Sequence, residues 1–300
     1  MYLDHFGLKE QPFSITPDTS FFFASHSYQE ALNTLLISVR SGEGFIKITG
    51  EVGTGKTLLC RKFMASLGPE FRIAYVPNPY LDPQALLLSV VGELDLKDMN
   101  QASQHQIMQA LTYGLLNLAR AGKKVVVCVD EAQAMPIETL EALRLLTNLE
   151  TEKRKLVQVV IFGQPELEEK LAHPSIRQLK QRITFNYRLT RLSRGELDHY
   201  MNHRLLVAGY KGGRVFTPAS LHLLHKYANG IPRLVNILAH KALLAAYGKG
   251  KHEIGLREVA AAAADTPAVA SIWWPGWRLL GTTLLLISCA VGTAFWMVPR

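Results

Sequence analysis

One segment near the start of the chain has the residue types and spacing of a phosphate-binding loop, G-x-x-x-x-G-K-[ST]: Gly50-Glu51-Val52-Gly53-Thr54-Gly55-Lys56-Thr57. Its glycines allow backbone N–H groups to turn towards phosphate oxygens, and the helix expected to follow adds partial positive charge there. Lys56 should reach the β- and γ-phosphates, the Thr57 hydroxyl should ligate Mg²⁺, and Leu58 carries the loop into the helix. The segment predicts a site for ATP with Mg²⁺.

A pair of acidic residues, Asp130-Glu131, follows the apolar run of residues 125–129. Such a run is typical of a strand that is buried on both faces of a parallel sheet. We expect Asp130 to belong to the Mg²⁺ shell, and Glu131 to orient or deprotonate the attacking water. The alternative is a solvated strand end, which the phosphate-binding loop upstream makes less attractive.

Gln164 comes at the end of the next predicted strand. If that strand lies between the first and the third, the Gln164 amide can reach the γ-phosphate and report its presence. The alternative is a turn glutamine that precedes Pro165.

Three arginines are candidates to stabilise the charge that develops during phosphoryl transfer. Arg182, just before the fifth strand, is the first choice for an arginine that reaches the site of a neighbouring subunit in a homo-oligomer, and Arg177 is the second; either could instead be a solvated helix residue. Arg233 follows Gly-Ile-Pro at a helix start and could fold over the nucleotide.

Five predicted strands alternate with helices, which indicates an α/β domain with a five-stranded parallel sheet between helical layers. Helical patterns then replace strands and predict a small all-helical domain. We expect residues 1–42 to form an N-terminal segment, irregular over 1–24, and a helix, both packed on the ATPase core. The nucleotide-binding domain should span residues 43–192 and the helical lid residues 193–265. A linker should follow at residues 266–278 and a transmembrane helix at residues 279–298.

The predicted transmembrane helix, Leu279 to Val298, is uncharged and preceded by Trp273, Trp274 and Trp277. Its length matches a bilayer core of about 30 Å, and tryptophans suit the interface. A buried core helix is the alternative. Because two residues follow, the sequence predicts a tail-anchored, single-pass protein of the bacterial inner membrane with its ATPase domain in the cytoplasm.

The charge and cysteine content limit the kinds of partner and site that the chain is expected to have. A net charge of +8 and a pI near 9.4 permit nucleic acid or an anionic bilayer surface. Cys60, Cys128 and Cys289 are scattered and predict buried thiols, with neither a disulfide framework nor a zinc site. Two basic clusters, residues 153–155 and 249–251, are typical of solvated surfaces, although the second could face anionic lipid.

Taken together, six motifs in residues 1–265 resemble the AAA+ ATPases of the general secretion pathway A type. They are Phe6-Gly7-Leu8 with Pro12-Phe13, Thr16-Pro17-Asp18, the phosphate-binding loop, Asp130-Glu131-Ala132-Gln133, Gly163-Gln164-Pro165-Glu166-Leu167 and Gly230-Ile231-Pro232-Arg233. The resemblance implies an AAA+ P-loop fold, with Gln164 as the sensor 1 residue, Arg233 as sensor 2 and an arginine before the last strand as the finger.

Longer members of this family carry a periplasmic peptidoglycan-binding region after the membrane helix, so direct peptidoglycan binding is not expected of this chain. Its short form resembles the branch that serves biogenesis of the mannose-sensitive haemagglutinin (MSHA) pilus. The resemblance implies inner-membrane assembly proteins of a type IV pilus or type II secretion complex as partners.

Two other functions remain open. Transposition-helper ATPases resemble the same AAA+ core, so the chain could be a DNA-binding regulator, with its basic charge serving nucleic acid. It could also be a nucleotide-gated scaffold with little turnover.

Overall fold

The computed structural model describes residues 2–96, 102–152 and 154–269. Its main sheet contains five parallel strands in the order β2-β3-β6-β1-β7. Their bounds are β1 Phe45–Gly50, β2 Phe71–Val76, β3 Lys124–Val129, β6 Val157–Gly163 and β7 Phe185–Leu189. The predicted five-stranded parallel sheet is confirmed. Strand β6 is inserted between β1 and β3, so the three strands that precede the candidate site residues are neighbours.

The helices of residues 2–207 follow the predicted order except for α1, which was not predicted, and α9, which was assigned to the helical lid. They are α1 Tyr2–Phe6, α2 His26–Ser41, α3 Lys56–Ala65, α4 Pro83–Glu93, α5 Gln104–Arg120, α6 Ile137–Leu146, α7 Glu166–Leu171, α8 Arg177–Arg182 and α9 Arg194–Val207. Helix α2 ends where Gly42 adopts a left-handed conformation, with φ of 85°. A two-stranded antiparallel hairpin, β4 Glu150–Thr151 with β5 Arg154–Lys155, was not predicted.

Alternate residues of β3 show how the sheet becomes the middle of three layers. Val125, Val127 and Val129 belong to the apolar cluster formed with α4, α5 and α6. Val126 and Cys128 point to the opposite cluster, formed with α2 and α3. The strand is therefore buried on both faces, as its uninterrupted apolar sequence predicts. Cys60 and Cys128 are buried free thiols, while Cys289 lies outside the described residues.

The chain divides into two compact units, residues 16–207 and residues 2–15 with 208–269. This division differs from the expected boundary at residue 193, because α9 belongs to the first unit. Aromatic contacts explain the difference: the guanidinium carbon of Arg204 lies 4.7 Å from the ring centroid of Phe21, and the rings of Phe23 and Tyr200 are 5.6 Å apart. Residues 19–21 form a short 3₁₀ turn there.

The second unit contains helices α10 Pro218–Ala228, α11 Pro232–Tyr247 and α12 Leu256–Ala264. Residues 2–15 belong to it, whereas the sequence suggested that they pack on the ATPase core. Phe13 is 2% exposed and its ring lies 6.0 Å from that of Phe216, and the Lys9 N–H donates to the Ala208 carbonyl at 2.8 Å. The prediction of an irregular segment is wrong for Tyr2–Phe6, which forms α1 and buries Phe6.

The basic cluster at residues 249–251 serves a structural purpose in this second unit. The ammonium groups of Lys249 and Lys251 lie 3.1 and 3.2 Å from Oε1 of Glu258, whose side chain is 2% exposed, and the Gly255 N–H donates to Oε2 at 3.1 Å. Burial acts to raise the pKa of Glu258, but these hydrogen bonds together lower it to about 2. Both lysines are thus engaged by a carboxylate of their own unit.

Replacing Glu258 by glutamine is expected to lower the free energy of unfolding at pH 7 by about 2 kcal/mol, allowing for screening by the half-exposed lysines. A carboxylate with a depressed folded pKa stabilises the protein above its unfolded value of about 4.5, and that contribution is lost as the pH falls towards about 2. Acid titration of the thermal midpoint should therefore show wild type and variant converging over this range. The exposed Glu253→Gln is the matched control, and equal acid profiles for all three proteins would contradict the assignment.

No helix among the described residues is long and apolar enough to cross a membrane. The predicted span 279–298 and residues 270–278 of the predicted linker 266–278 lie outside those residues.

Candidate nucleotide-hydrolysis site

The phosphate-binding loop joins the carboxyl end of β1 to the first residue of α3, as the sequence predicts. Gly53 and Gly55 have φ of 80° and 91°, a region that residues with a side chain rarely adopt. At Gly55 there is also no space, because a Cβ atom would lie 1.7 Å from the Tyr28 hydroxyl oxygen. The glycine is required by both its conformation and its neighbour.

Tyr28, which sequence reasoning missed, supports this loop from helix α2. Its buried hydroxyl donates a hydrogen bond to the Thr54 carbonyl. Burial raises the pKa of Tyr28, so that hydroxyl keeps its proton at physiological pH. Thr54 is itself fully buried and donates to the Glu51 carbonyl at 2.8 Å, while the Glu51 carboxylate pairs with Arg191 at 2.9 Å. The loop is thus fixed by two hydrogen bonds and by an ion pair that is partly exposed.

Lys56 is 4% exposed, and its ammonium group lies inside the curve of the loop. It donates to the carbonyls of Gly50 and Glu51 at 2.9 and 3.0 Å. Burial lowers the pKa of Lys56, whereas the nearby carboxylates of Glu131 and Asp130 act to raise it. A phosphate group would add negative charge beside this ammonium and favour its charged form.

The predicted metal ligands meet directly. Thr57 Oγ1 donates to Asp130 Oδ2 at 2.6 Å, and the Glu131 N–H donates to Asp130 Oδ1 at 2.9 Å. A hydroxyl and a carboxylate are the hard oxygen donors that Mg²⁺ accepts, so these two side chains fit the ion that a P-loop site takes. Burial raises the pKa of Asp130, while the hydrogen bonds from Thr57 and the Glu131 N–H act to lower it.

Glu131 has an unusual backbone conformation, and two amide side chains orient its carboxylate. Its φ and ψ are 51° and 37°, in the left-handed region, which carries strain for a residue with a side chain. The amide nitrogens of Gln133 and Gln164 donate to Glu131 Oε2 at 2.6 and 2.9 Å. Within the described part of the chain no hydrogen bond involves Oε1. One carboxylate oxygen therefore orients the group, and the other can face a water molecule.

Gln164 comes into this cluster because β6 lies between β1 and β3, the condition that the sequence analysis set. Its backbone N–H donates to Gln133 Oε1 at 3.0 Å, which closes a ring of hydrogen bonds with Glu131. Gln133 was part of a recognised motif but had been given no role. Its position two residues after the acidic pair was the signal that could have identified it.

Neither Arg182 nor Arg177 takes part in the hydrogen bonds described for this cluster. Arg182 is partly buried, and its Nη1 donates to Thr147 Oγ1 at 3.1 Å. Arg177, at the start of the same helix α8, is exposed. Arg233 is exposed in the first turn of α11, in the second unit. Their roles therefore stay predictions.

Replacing Gly55 by alanine is expected to weaken nucleotide binding at least tenfold, because the side chain adds backbone strain of about 1–3 kcal/mol and collides with the Tyr28 hydroxyl. Binding of a fluorescent ATP analogue would measure it. Adding Tyr28→Phe to that variant removes the 1.7 Å collision and should restore part of the affinity, since the ring carbon lies at 3.0 Å. No recovery in the double variant would show that the collision with Tyr28 is not what limits binding.

Comparison with known proteins agrees with this geometry. The family model for the AAA domain matches residues 39–171. General secretion pathway protein A of Aeromonas hydrophila is 42% identical over 301 residues, which cover 94% of this chain and 55% of the relative. The chain thus spans about half the length of the curated relative that it matches.

Solved structures show the same fold at low identity. ORC1 of Aeropyrum pernix in complex with DNA is 18% identical with a TM-score of 0.62, covering 85% of this chain and 69% of that one. Drosophila ORC bound to DNA is 15% identical with a TM-score of 0.62, covering 88% and 68%. The RuvB Holliday junction branch migration motor of Thermotoga maritima is 16% identical with a TM-score of 0.55, covering 80% and 69%.

The P-loop, the acidic pair after β3 and the glutamine after an inserted strand share one edge of a parallel sheet, as AAA+ nucleotide hydrolysis requires. The 42% identity extends this agreement over nearly the whole chain. The chain belongs to the AAA+ ATPases related to general secretion pathway protein A.

Proposed function

We propose that this chain is a membrane-anchored AAA+ ATPase that acts as a homo-oligomer and uses ATP hydrolysis to support assembly of a type IV (MSHA-like) pilus or a type II secretion complex. The observation that carries the hydrolytic part is the convergence of Thr57, Asp130, Glu131 and Gln164 at the carboxyl ends of neighbouring strands. The 42% identical relative, described as a general secretion pathway protein, supports the cellular part.

The side chains divide the chemistry among them. Lys56 and the loop N–H groups bind the β- and γ-phosphates, and Thr57 with Asp130 would hold Mg²⁺, which neutralises phosphate charge when bound. Glu131 takes the proton of the attacking water, oriented by the two glutamine amides on its Oε2. Gln164 links this base to the γ-phosphate end of the site. Loss of the γ-phosphate can therefore alter the position of Glu131 through the Gln164 side chain.

The homo-oligomer supplies a charge that this arrangement needs. Phosphoryl transfer spreads negative charge over the equatorial oxygens, and an arginine from a neighbouring subunit can stabilise it. Arg182 and Arg177 are the proposed donors, and Arg233 is proposed to contact the nucleotide from the helical unit.

Residues 279–298 are proposed to anchor the chain in the bacterial inner membrane, with inner-membrane assembly proteins as partners. Complementation in the host bacterium tests the cellular role. Cells that lack this protein should lose surface pili or secreted substrate, and wild type but not Thr57→Ala should restore them. The purified Thr57→Ala variant is first shown to lack ATP turnover. Full restoration of pili or secretion by that variant would then contradict a role for hydrolysis.

A DNA-binding regulator is the second candidate, favoured by the net charge of +8 and by DNA-bound proteins that share the fold. Electrostatic binding to DNA should weaken steeply between 50 and 200 mM salt, roughly in proportion to the phosphates contacted. Duplex binding by the full chain with such a slope, together with normal pilus assembly and secretion in cells that lack the protein, would favour this candidate.

A further inference from the structure

A basic pocket lies at the edge of the sheet opposite the nucleotide site. It has a volume of about 410 Å³, and its basic residues are Arg40, Lys123, Lys124, Arg154 and Lys155. They come from the end of α2, the start of β3 and the hairpin strand β5. Strand β3 separates this pocket from Asp130 by six residues, or about 20 Å. The pocket is therefore distinct from the phosphate-binding loop.

Three of these cations are fixed by backbone carbonyls. Lys123 Nζ donates to the Pro69 carbonyl at 2.9 Å, Lys124 Nζ to the Arg40 carbonyl at 3.0 Å, and Arg154 Nη2 to the Ala119 carbonyl at 2.9 Å. An ammonium group has three donors and a guanidinium has five, so each keeps donors after such a bond. The heads are held in place at little further entropic cost to a ligand.

Gln158 fixes the wall that these residues share. It is 4% exposed, and its amide nitrogen donates to the carbonyls of Val39 and Glu43 at 2.9 and 3.1 Å. These bonds join β6 to the end of α2 and to the turn that follows. The pocket is therefore bounded on this side by the carboxyl end of α2 and by β6.

Capping of helix ends does not account for all of this charge. The carboxyl ends of α2 and α5 each contribute about half a negative charge. Glu150, whose Oε2 lies 3.6 Å from Lys155 Nζ, contributes one more, and no described residue lining the pocket is a carboxylate. Among the lining residues and the ion pairs that they form within the described chain, five positive charges are therefore set against one carboxylate and two helix ends, about two negative charges in all. The excess is available to an anion.

The shape favours a compact ligand over a nucleic acid strand. Cations that serve DNA are usually spread over a face or along a stripe, which follows the repeated phosphates. Here the five residues line one concave volume. Its size is within the range of small-ligand sites, which is about 300–1,000 Å³. We propose that this pocket binds a compact phosphate group carrying two or more negative charges, either free or as the head group of a phospholipid.

Calorimetric titration of the full chain in neutral detergent tests this proposal. All proteins carry Lys56→Ala, so that residual binding at the phosphate-binding loop is weak and common to every sample. The pocket variant is Arg40→Gln with Arg154→Gln, and the charge-matched control is Lys211→Gln with Arg257→Gln, two exposed residues of the helical unit. The phosphate probes are inorganic pyrophosphate and a soluble short-chain phosphatidic acid, and a short DNA duplex is titrated for comparison.

We expect at least one probe to bind, and the pocket variant to bind it at least tenfold more weakly than the control variant. If the pocket variant binds pyrophosphate more weakly than the control does, the ligand is a free phosphate compound. If only phosphatidic acid binds the pocket variant more weakly, the ligand is a lipid head group. Equal affinities in the two variants, binding of neither probe, or a pocket effect confined to duplex DNA would overturn the proposal. If the pocket variant does not fold, Lys123→Gln with Lys155→Gln provides the same comparison.

Discussion

Replacing Glu131 by glutamine is expected to lower kcat for ATP hydrolysis by about 10²–10⁴-fold, because the amide cannot accept the proton of the attacking water. Glutamine has nearly the same shape, and its carbonyl oxygen can still accept a hydrogen bond from Gln133 or Gln164. The lysine, the loop and the Thr57 to Asp130 contact stay in place. ATP should therefore remain bound without turning over, which filtration of labelled nucleotide and a phosphate-release assay would show together.

The neighbouring amide offers a graded comparison for this experiment. Gln133→Leu removes the 2.6 Å hydrogen bond to Glu131 but leaves the carboxylate, so we expect kcat to fall by about tenfold with little change in KM. Gln133→Asn should recover less than half of that loss, since its shorter side chain reaches less well. Wild-type turnover in Glu131→Gln would remove Glu131 as the base, whereas a normal rate in Gln133→Leu would remove only its positioning by Gln133.

Much of the site could be predicted because its residues are local in sequence or follow buried strands. The phosphate-binding loop is continuous, and Asp130 follows an apolar run that predicts its strand without a partner. The prediction for Gln164 needed one further condition, that β6 lies between β1 and β3 in the sheet. Periodicity identifies strands but does not order them in a sheet, so that role depended on the family resemblance.

The contacts that were missed are those between distant parts of the chain. Tyr28 meets Thr54 across 26 residues, and nothing in its own sequence marks it as a support for the loop. Residues 2–15 pack with residues 208–269, a long-range association that a local pattern of aromatics and turns cannot reveal. The basic pocket was missed for the same reason, because it combines Arg40 with Lys124 and Arg154 from distant parts of the chain. In the sequence, each of these residues alone is typical of a surface charge.

Replacing Arg182 by lysine is expected to lower kcat for ATP hydrolysis by about 10³–10⁵-fold, which is the effect of losing an arginine that acts across a subunit interface. Lysine keeps the charge but loses the planar fork that spans two phosphate oxygens. It can still donate to Thr147, so the contact that Arg182 makes within its own chain is partly retained. Nucleotide affinity should change little. Arg177→Lys is the matched comparison, because Arg177 is exposed at the other end of the same helix.

Mixing two inactive proteins separates a role between subunits from a role within one. A subunit with Lys56→Ala has no working loop but can still offer Arg182, and a subunit with Arg182→Lys has an intact loop. In a closed ring with random mixing at equal amounts, about one quarter of the interfaces would combine a working loop with a native arginine. Recovery of about one quarter of wild-type ATPase activity is therefore expected. If the mixture stays inactive while Arg177→Lys paired with Lys56→Ala recovers activity, Arg177 is the residue that crosses the interface, and the hydrogen bond to Thr147 explains why Arg182 stays in its own chain.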